Sequence, residues 1–488
     1  MSSAGERQYH YQAIYSYLTT LIAEATGERK VRLPSLRDLA SRMGVSVSTV
    51  QHAYQLLESE GRVISVAKSG YYAVVARVAV HAHTLHLPLL QPALDSSPVG
   101  DGPAEGQASL LKSLYSQACA PGMLAIHRSD PWPSDALGLV LTAREREIQR
   151  QHRNLASHPL GDPELRRELA AHYTRSTRHH WCSDDVVMGA DLRGIVEVAL
   201  SALELRNRSV LVLTPASPVL LAALEATGAR LCEVAMDCTG MPDLKRIAHL
   251  LQTREIALMV ISSALNGPQG TVMPDEALRA LAALLNHHGT RVLDNDDHGA
   301  LCFAAPVRFR EWVDPSRLLI CGSFSRTIGA EARYGYLLAG SGPTDDFMAA
   351  VGRSVLQRDF QLPPVRQKAI ARMYRRDGIE RHLATLRPTL QRNLVRLVQQ
   401  LDDHLGEWVS VPMPAGGCGV WLRSRYAVDT RRVYEHMLER RILLAPGQAF
   451  STEGNHHECL RIACPVNGLK LPGRVLVELR KALQKSRR

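Results

Sequence analysis

The sequence predicts two folds in series: a small helix-turn-helix module with a β-hairpin wing, then a large α/β domain on a mostly parallel sheet. Three observations carry this. Residues 33–72 hold two short helical patterns around a tight turn, then a strand-turn-strand pattern. Beyond residue 113, short apolar runs alternate with helical stretches, which signals a parallel sheet covered by helices. Between them, residues 79–112 are rich in proline, glycine, serine and histidine with no sustained period, and read as a tether. The expected domains are therefore 1–78, 79–112 and 113–488.

The bulk numbers agree with that plan. A chain of 488 residues has room for two or three domains, and 45% hydrophobic with 22% charged residues is globular composition. A net charge of +10 favours an acidic partner, nucleic acid first. No apolar run is long enough to cross a membrane, and "MSSAGERQYHYQ" lacks the apolar core of a signal peptide. Nine cysteines without CxxC or Cys/His spacing suit reduced thiols, neither a metal site nor a disulfide framework. A cytoplasmic protein away from membranes is expected.

In the N-terminal module, Ile14, Leu18, Leu21 and Ile22 recur at helical spacing before Gly27. Ser35 precedes "LRDLASRM" with Asp38 in the capping-box position. Gly44 ends that helix. Ser46 caps the next, over Val47 to Ser59. Val50, Ala53, Tyr54 and Leu57 share one face and are expected inside. Ser46, Ser48, Thr49, Gln51 and His52 occupy the N-terminal half, the part that enters a major groove in this motif. Arg37, Arg42 and Lys68 are placed for phosphates. "RVISVAKSGYYAVV" forms the wing, turning at Lys68, Ser69 and Gly70. Ser35 and the wing turn complete the candidate DNA contacts, with double-stranded operator DNA as the expected partner.

In the large domain, "SVLVLT", "ALMVISS", "TRVLDND" and "LLICGSF" read as strands. The unusual loops fall after such strands, where functional residues of these sheets lie. They are Gly189-Ala190, Thr214-Pro215, Asn266-Gly267-Pro268, Asn295 to His298 and Ser323 to Arg326.

"LPSLRDLASRMGVSVSTVQHAYQLLESEGRVISVAKSGYY" resembles the winged helix-turn-helix of the GntR superfamily, with Gly70 as the wing glycine. It departs at Val47, where many members carry arginine. "LGDPELRRELAAHY", "GPQGTVMP", "SFSRTIGAEARYGYL", "GGCGVWL", "LLAPGQAFS" and "CLRIAC" are similar, in order and spacing, to fold-type I aminotransferases. The resemblance implies a pyridoxal-phosphate-dependent transferase fold with a smaller C-terminal α+β subdomain over about 380–488. A GntR module before such a domain is the architecture of MocR-type regulators. Homodimerisation follows from the resemblance; swapped and unswapped arrangements stay open.

The cofactor positions implied by that resemblance are altered. Arg326 stands where the family has its Schiff-base lysine, and a guanidinium cannot serve as a free amine. Asn295 and His298 match the ring-nitrogen aspartate and the tyrosine. Gly267 matches the ring-side asparagine, with Asn266 one position early, and Ser217 matches the stacking aromatic. Asp191 follows Gly189 and Ala190 at the helix start implied to cradle the phosphate, where its charge opposes a dianion. Ser323, Ser325 and Arg333 match retained phosphate contacts, and Arg461 the arginine that grips a carboxylate. The expectation is no catalytic residue, no covalent pyridoxal phosphate, and room for weakly held pyridoxal phosphate or another small anionic effector. Two roles stay open for Arg326: an ion pair with Asp191 or Asp294, or a bidentate ligand contact. An active aminotransferase with a DNA-binding appendage is the rival reading.

Overall fold

The structure is a computed structural model. It describes residues 14–15, 18–19, 22, 31–43, 45–59, 63–66, 70–73, 103–118, 120–127, 135–151, 155–177, 179–303, 308–340, 346–360, 362–464 and 470–487. The chain divides into two compact units, Met1–Pro98 and Val99–Arg488.

The first unit carries helices α1 (Leu36–Met43) and α2 (Val47–Ser59). Strands β1 (Val31–Arg32), β2 (Val63–Val66) and β3 (Gly70–Ala73) form an antiparallel sheet in the order β1-β3-β2. The expected inward face of α2 is wholly buried: Val50, Ala53, Tyr54 and Leu57 are each 0% exposed. Ile14, Leu18 and Leu39 pack in the same core. Tyr54 stacks on Tyr71 of the wing at 4.3 Å and donates its hydroxyl to the Pro34 carbonyl at 2.7 Å. Leu21, Gly27, Gly44, Lys68 and Ser69 lie outside the described residues.

The second unit is built on a seven-stranded sheet. Its strands are β5 (Val186–Gly189), β6 (Ser209–Thr214), β7 (Arg230–Ala235), β8 (Ile256–Ile261), β9 (Arg291–Asn295), β10 (Leu318–Ser323) and β11 (Gly335–Ala339). A two-residue strand β4 (Leu124–Ala125) precedes them and pairs elsewhere. The order is β5-β11-β10-β9-β8-β6-β7. All neighbouring pairs are parallel except the two made by β11. Central strands are apolar because both faces are covered by helices: every residue of β10 and β11 is buried. The covering helices are clearly punctuated. The Asp243 side chain caps Leu244–Thr253, and Gly289, at φ +63°, ends Asp275–His288 where a left-handed residue is needed.

The long helix Gly378–Leu405 leads into a smaller layer. There β12 (Val409–Ser410), β13 (Gly419–Ser424), β15 (Ala445–Pro446) and β16 (Cys459–Ala463) form an antiparallel sheet, while β14 (Ile442–Leu443) pairs with β4. This layer has its own core and corrects the last ten residues of the expected tether, 103–112, which are helical; residues 79–102 lie outside the described residues. Helix α3 (Pro103–Ala118) begins well before residue 112, and Leu110 and Leu114, each 5% exposed, join that core. Leu110, Leu111 and Leu114 are spaced for one helical face, but the flanking proline, glycine and serine residues hid the pattern.

Beneath the sheet's functional edge lies a buried polar network. Asp294 is 0% exposed, accepts from the backbone and hydroxyl of Ser263 at 2.8 and 2.6 Å, and pairs with Arg310 Nε at 2.6 Å. Arg310 also reaches Asp296 at 2.8 Å, and Asp296 accepts from the Tyr173 hydroxyl at 2.6 Å. Removing one partner strands buried charge. Arg310→Ala is therefore expected to destabilise the second unit by about 3–5 kcal/mol in urea unfolding. A loss below about 1 kcal/mol would show the network to be dispensable.

Candidate functional site

The module's face is organised by its caps. Ser35 Oγ accepts from the Asp38 N–H at 3.1 Å and so starts α1. Ser46 Oγ accepts from the Thr49 N–H at 3.2 Å and lies 2.6 Å from the Thr49 hydroxyl and 2.9 Å from that of Ser48. These hydroxyls therefore bind one another at the helix start. Ser48, Gln51 and His52 are exposed on α2, as are Arg37 and Arg42 on α1. Gly70 takes φ +111° at the start of β3, a conformation that suits glycine in a wing turn. Val47, 43% exposed at the first turn of α2, presents a short apolar side chain where an arginine would reach outward.

In the second unit, a cavity of about 230 Å³ opens beyond the C-terminal ends of the parallel strands. Ser217, Gly267, Asn295, His298 and Arg326, drawn from four separate loops, all line it. So does Arg461, from β16. Gly189, Ala190, Ser323, Ser325 and Arg333 do not line it. Arg333 is exposed beyond the turn Ala330–Ala332. The Asp191 side chain accepts from the Gly194 N–H at 2.8 Å, so the helix start beside Gly189 and Ala190 is capped from within.

Asp297 organises the cavity floor. It is 6% exposed and lies between Arg326, whose Nε donates at 3.3 Å, and His298, whose Nδ1 lies 3.6 Å away. Ser323 donates to its other oxygen at 2.5 Å and also meets Ser325 at 2.6 Å. Burial pushes the Asp297 carboxyl up. The charges of Arg326 and His298 and the Ser323 hydrogen bond outweigh it and hold the carboxyl below the usual carboxylate range. Arg326 is thus paired with Asp297, and the expected partners are corrected. Asp191 caps its helix, and Asp294 belongs to Ser263 and Arg310. Strand alternation turns Asp294 and Asn295 to opposite faces of β9. Asp297 lies past the strand end, where alternation no longer predicts direction, and that is why sequence reasoning missed it.

Neighbouring positions are coupled by volume. A Cβ on Gly267 would stand 2.4 Å from His298 Nδ1, so the ring's present position requires glycine there. Asn266 is buried and ties its loop to the Pro215 carbonyl at 3.0 Å. Asn295 accepts from the Asp297 N–H at 3.3 Å. Arg461, 7% exposed, donates to the His127 carbonyl at 2.9 Å, and burial pushes its pKa down. Sequence reasoning also missed the apolar wall: Leu111, Leu114 and Tyr115 of α3 and Phe450 face the cavity. For Leu111 and Leu114 the signal was their helical spacing across the end of the supposed tether.

Comparison with known proteins fits this geometry. Residues 134–468 match "Aminotransferase class I and II", and residues 10–72 match "Bacterial regulatory proteins, gntR family". The chain belongs to the aminotransferase class I and II family and carries an N-terminal gntR-family module, the MocR-type architecture. It is 26% identical over 461 residues to "Uncharacterized HTH-type transcriptional regulator YjiR" of Escherichia coli (strain K12), covering 92% of this chain and 94% of that protein. It is 24% identical to "Uncharacterized HTH-type transcriptional regulator YisV" of Bacillus subtilis (strain 168), covering 91% and 90%. Among solved structures, kynurenine aminotransferase from Pyrococcus horikoshii superposes with a TM-score of 0.68 at 15% identity, covering 80% of this chain and 95% of that one. That likeness shows the fold of the second unit.

Two measurements check the site. Gly267→Ala should cost about 1–3 kcal/mol through overpacking, and His298→Ala in the same chain should remove most of that cost in a double-mutant cycle. Additive losses would mean the two positions do not share space. In gel-shift titrations, Arg37→Ala should weaken every operator sequence alike and flatten the salt dependence, while His52→Ala should alter which sequence is preferred. A His52→Ala protein with unchanged preference would remove α2 from the groove.

Proposed function

We propose that this chain is a DNA-binding transcriptional regulator whose aminotransferase-like domain dimerises and senses a small anionic effector without transamination. The observation that carries the reading is Arg326, the residue at the lysine position, ion-paired to buried Asp297 in a cavity lined by all five altered positions. Bound pyridoxal phosphate supplies an electron sink for amino-group chemistry. The residues here do not fit that use. The guanidinium offers no free amine, and Asn295 supplies no charge to keep a ring nitrogen protonated. The helix start beside Gly189 and Ala190 already has its own carboxylate cap.

Further support comes from what the cavity keeps. Arg326 and Arg461 give it cationic character, and Leu111, Leu114 and Phe450 give it an apolar side. A small anion with an apolar portion suits both, with a guanidinium as the anion's partner. Non-covalent pyridoxal phosphate falls within that class. The wall helix α3 is the first helix of the second unit, so ligand contact with it is the proposed route from occupancy to the preceding DNA module. Two copies would present two modules to paired half-sites. Among the described residues no helix is long and apolar enough to cross a membrane. A cytoplasmic place, where operator DNA is reached, follows from the DNA-binding role.

Purified protein incubated with pyridoxal phosphate should show no internal-aldimine band near 420 nm and no borohydride-stable mass increase at residue 326; that absorbance is a general property of such aldimines. A band that borohydride traps at another lysine would restore the aminotransferase reading. Small apolar carboxylates should raise the melting temperature of the wild type, and Arg461→Ala should abolish the shift. Failure of every anion tested would leave the domain as a dimerisation body alone.

A further inference from the structure

The second unit carries a charge pattern that the cavity does not use. From residue 381 to residue 401 the long helix Gly378–Leu405 holds four arginines and no aspartate or glutamate. Its buried face is leucine: Leu383, Leu386, Leu390, Leu394 and Leu397. Arg381, Arg392 and Arg396 lie on the opposite face and are exposed. At 3.6 residues per turn, Arg392 stands three turns beyond Arg381, and Arg396 one turn further. The three cations form one stripe, about 22 Å long at 1.5 Å per residue.

Pairing separates this stripe from the other basic stretch beside it. The preceding helix, Pro364–Arg375, also holds four cations and no carboxylate, but all four are engaged by acids of other elements. Arg366 meets Glu145, Lys368 meets Asp162 at 3.0 Å, Arg372 meets Glu147 at 3.5 Å and Arg375 meets Glu168 at 2.9 Å. On the long helix, Arg387 is held by the Ala300 carbonyl at 2.8 Å. Arg381 donates to the Arg376 carbonyl at 2.7 Å and Arg392 to the Thr389 hydroxyl at 3.2 Å, each through one nitrogen. Among the described residues no carboxylate pairs with Arg381, Arg392 or Arg396. Arg392 and Arg396 are also like charges four residues apart, an arrangement that weakens a helix unless an anion lies against it. A further cation stands at the same end. The Gln400 side chain donates to the Leu471 carbonyl and accepts from its N–H, both at 2.9 Å, and so anchors the segment that carries exposed Lys470.

We propose that this stripe is a second DNA contact, made by the aminotransferase-like unit to the phosphate backbone of the duplex that flanks the operator. A length of about 22 Å spans about six base pairs at 3.4 Å each. Guanidiniums suit phosphate because two N–H donors meet two oxygens in one plane. The exposed Thr385 hydroxyl, on the same face, is a further phosphate donor. Such contacts touch no base edge. They add affinity and salt dependence without sequence preference, while the helix-turn-helix module selects the site.

The test uses the full chain and a fluorescent duplex of mixed sequence, about 60 bp or six helical turns long, in anisotropy titrations between about 50 and 200 mM salt. Arg381→Gln, Arg392→Gln and Arg396→Gln together should flatten the slope of log K against log salt by about three, one for each phosphate. Lysine at the same three positions keeps the charge and should restore most of the slope. Removing three exposed cations elsewhere on the unit, by Arg206→Gln, Arg230→Gln and Lys245→Gln, should change the slope by less than about one. The proposal is overturned if the glutamine variant keeps the wild-type slope, which would leave the stripe to an acidic protein surface. It is equally overturned if lysine fails to restore the slope, or if the control variant loses as much. Arg37→Ala reports the module's own phosphate contact, so failure of the stripe and failure of the operator reading are told apart.

Discussion

The ion pair between Arg326 and Asp297 is the constraint around which the second unit's functional edge is arranged. A buried carboxylate needs compensation, and Asp297 takes it from three directions: a guanidinium, an imidazole and a serine hydroxyl. Each partner is thereby committed. Arg326 is held against the cavity floor, His298 is drawn toward Gly267, and Ser323 with Ser325 turns to a protein carboxylate. These loops are satisfied by one another.

The residues that line the cavity are thereby coupled into a set. The His298 ring occupies volume that any side chain at residue 267 would claim. Asn266 closes a loop contact to Pro215. Asn295 accepts from the Asp297 backbone and so supports the carboxylate that pairs with Arg326. Below them, Asp294, Arg310, Asp296 and Tyr173 form a second, separate layer of buried charge on the other side of β9 and its following turn. Two acids one residue apart, Asp296 and Asp297, therefore serve different layers because the chain turns between them.

The legible parts of the sequence were those governed by period. The α2 core face, the parallel strands and their order of functional loops follow from spacing alone, because helices repeat every 3.6 residues and strands every two. Helix α3 was hidden by its flanking proline and glycine, although its leucines kept the helical spacing. The composition of a segment masked its packing, and with it one wall of the cavity.

The amino-acid sequence by itself determined the two-part architecture and that residue 326 carries a guanidinium rather than an amine. Both are local properties: a repeat pattern, and the identity of one functional group. Only the tertiary structure decided which carboxylate receives Arg326 and which candidate site residues reach the cavity. Those outcomes depend on how loops turn after their strands end and on which atoms share a volume, and neither is encoded in spacing along the chain.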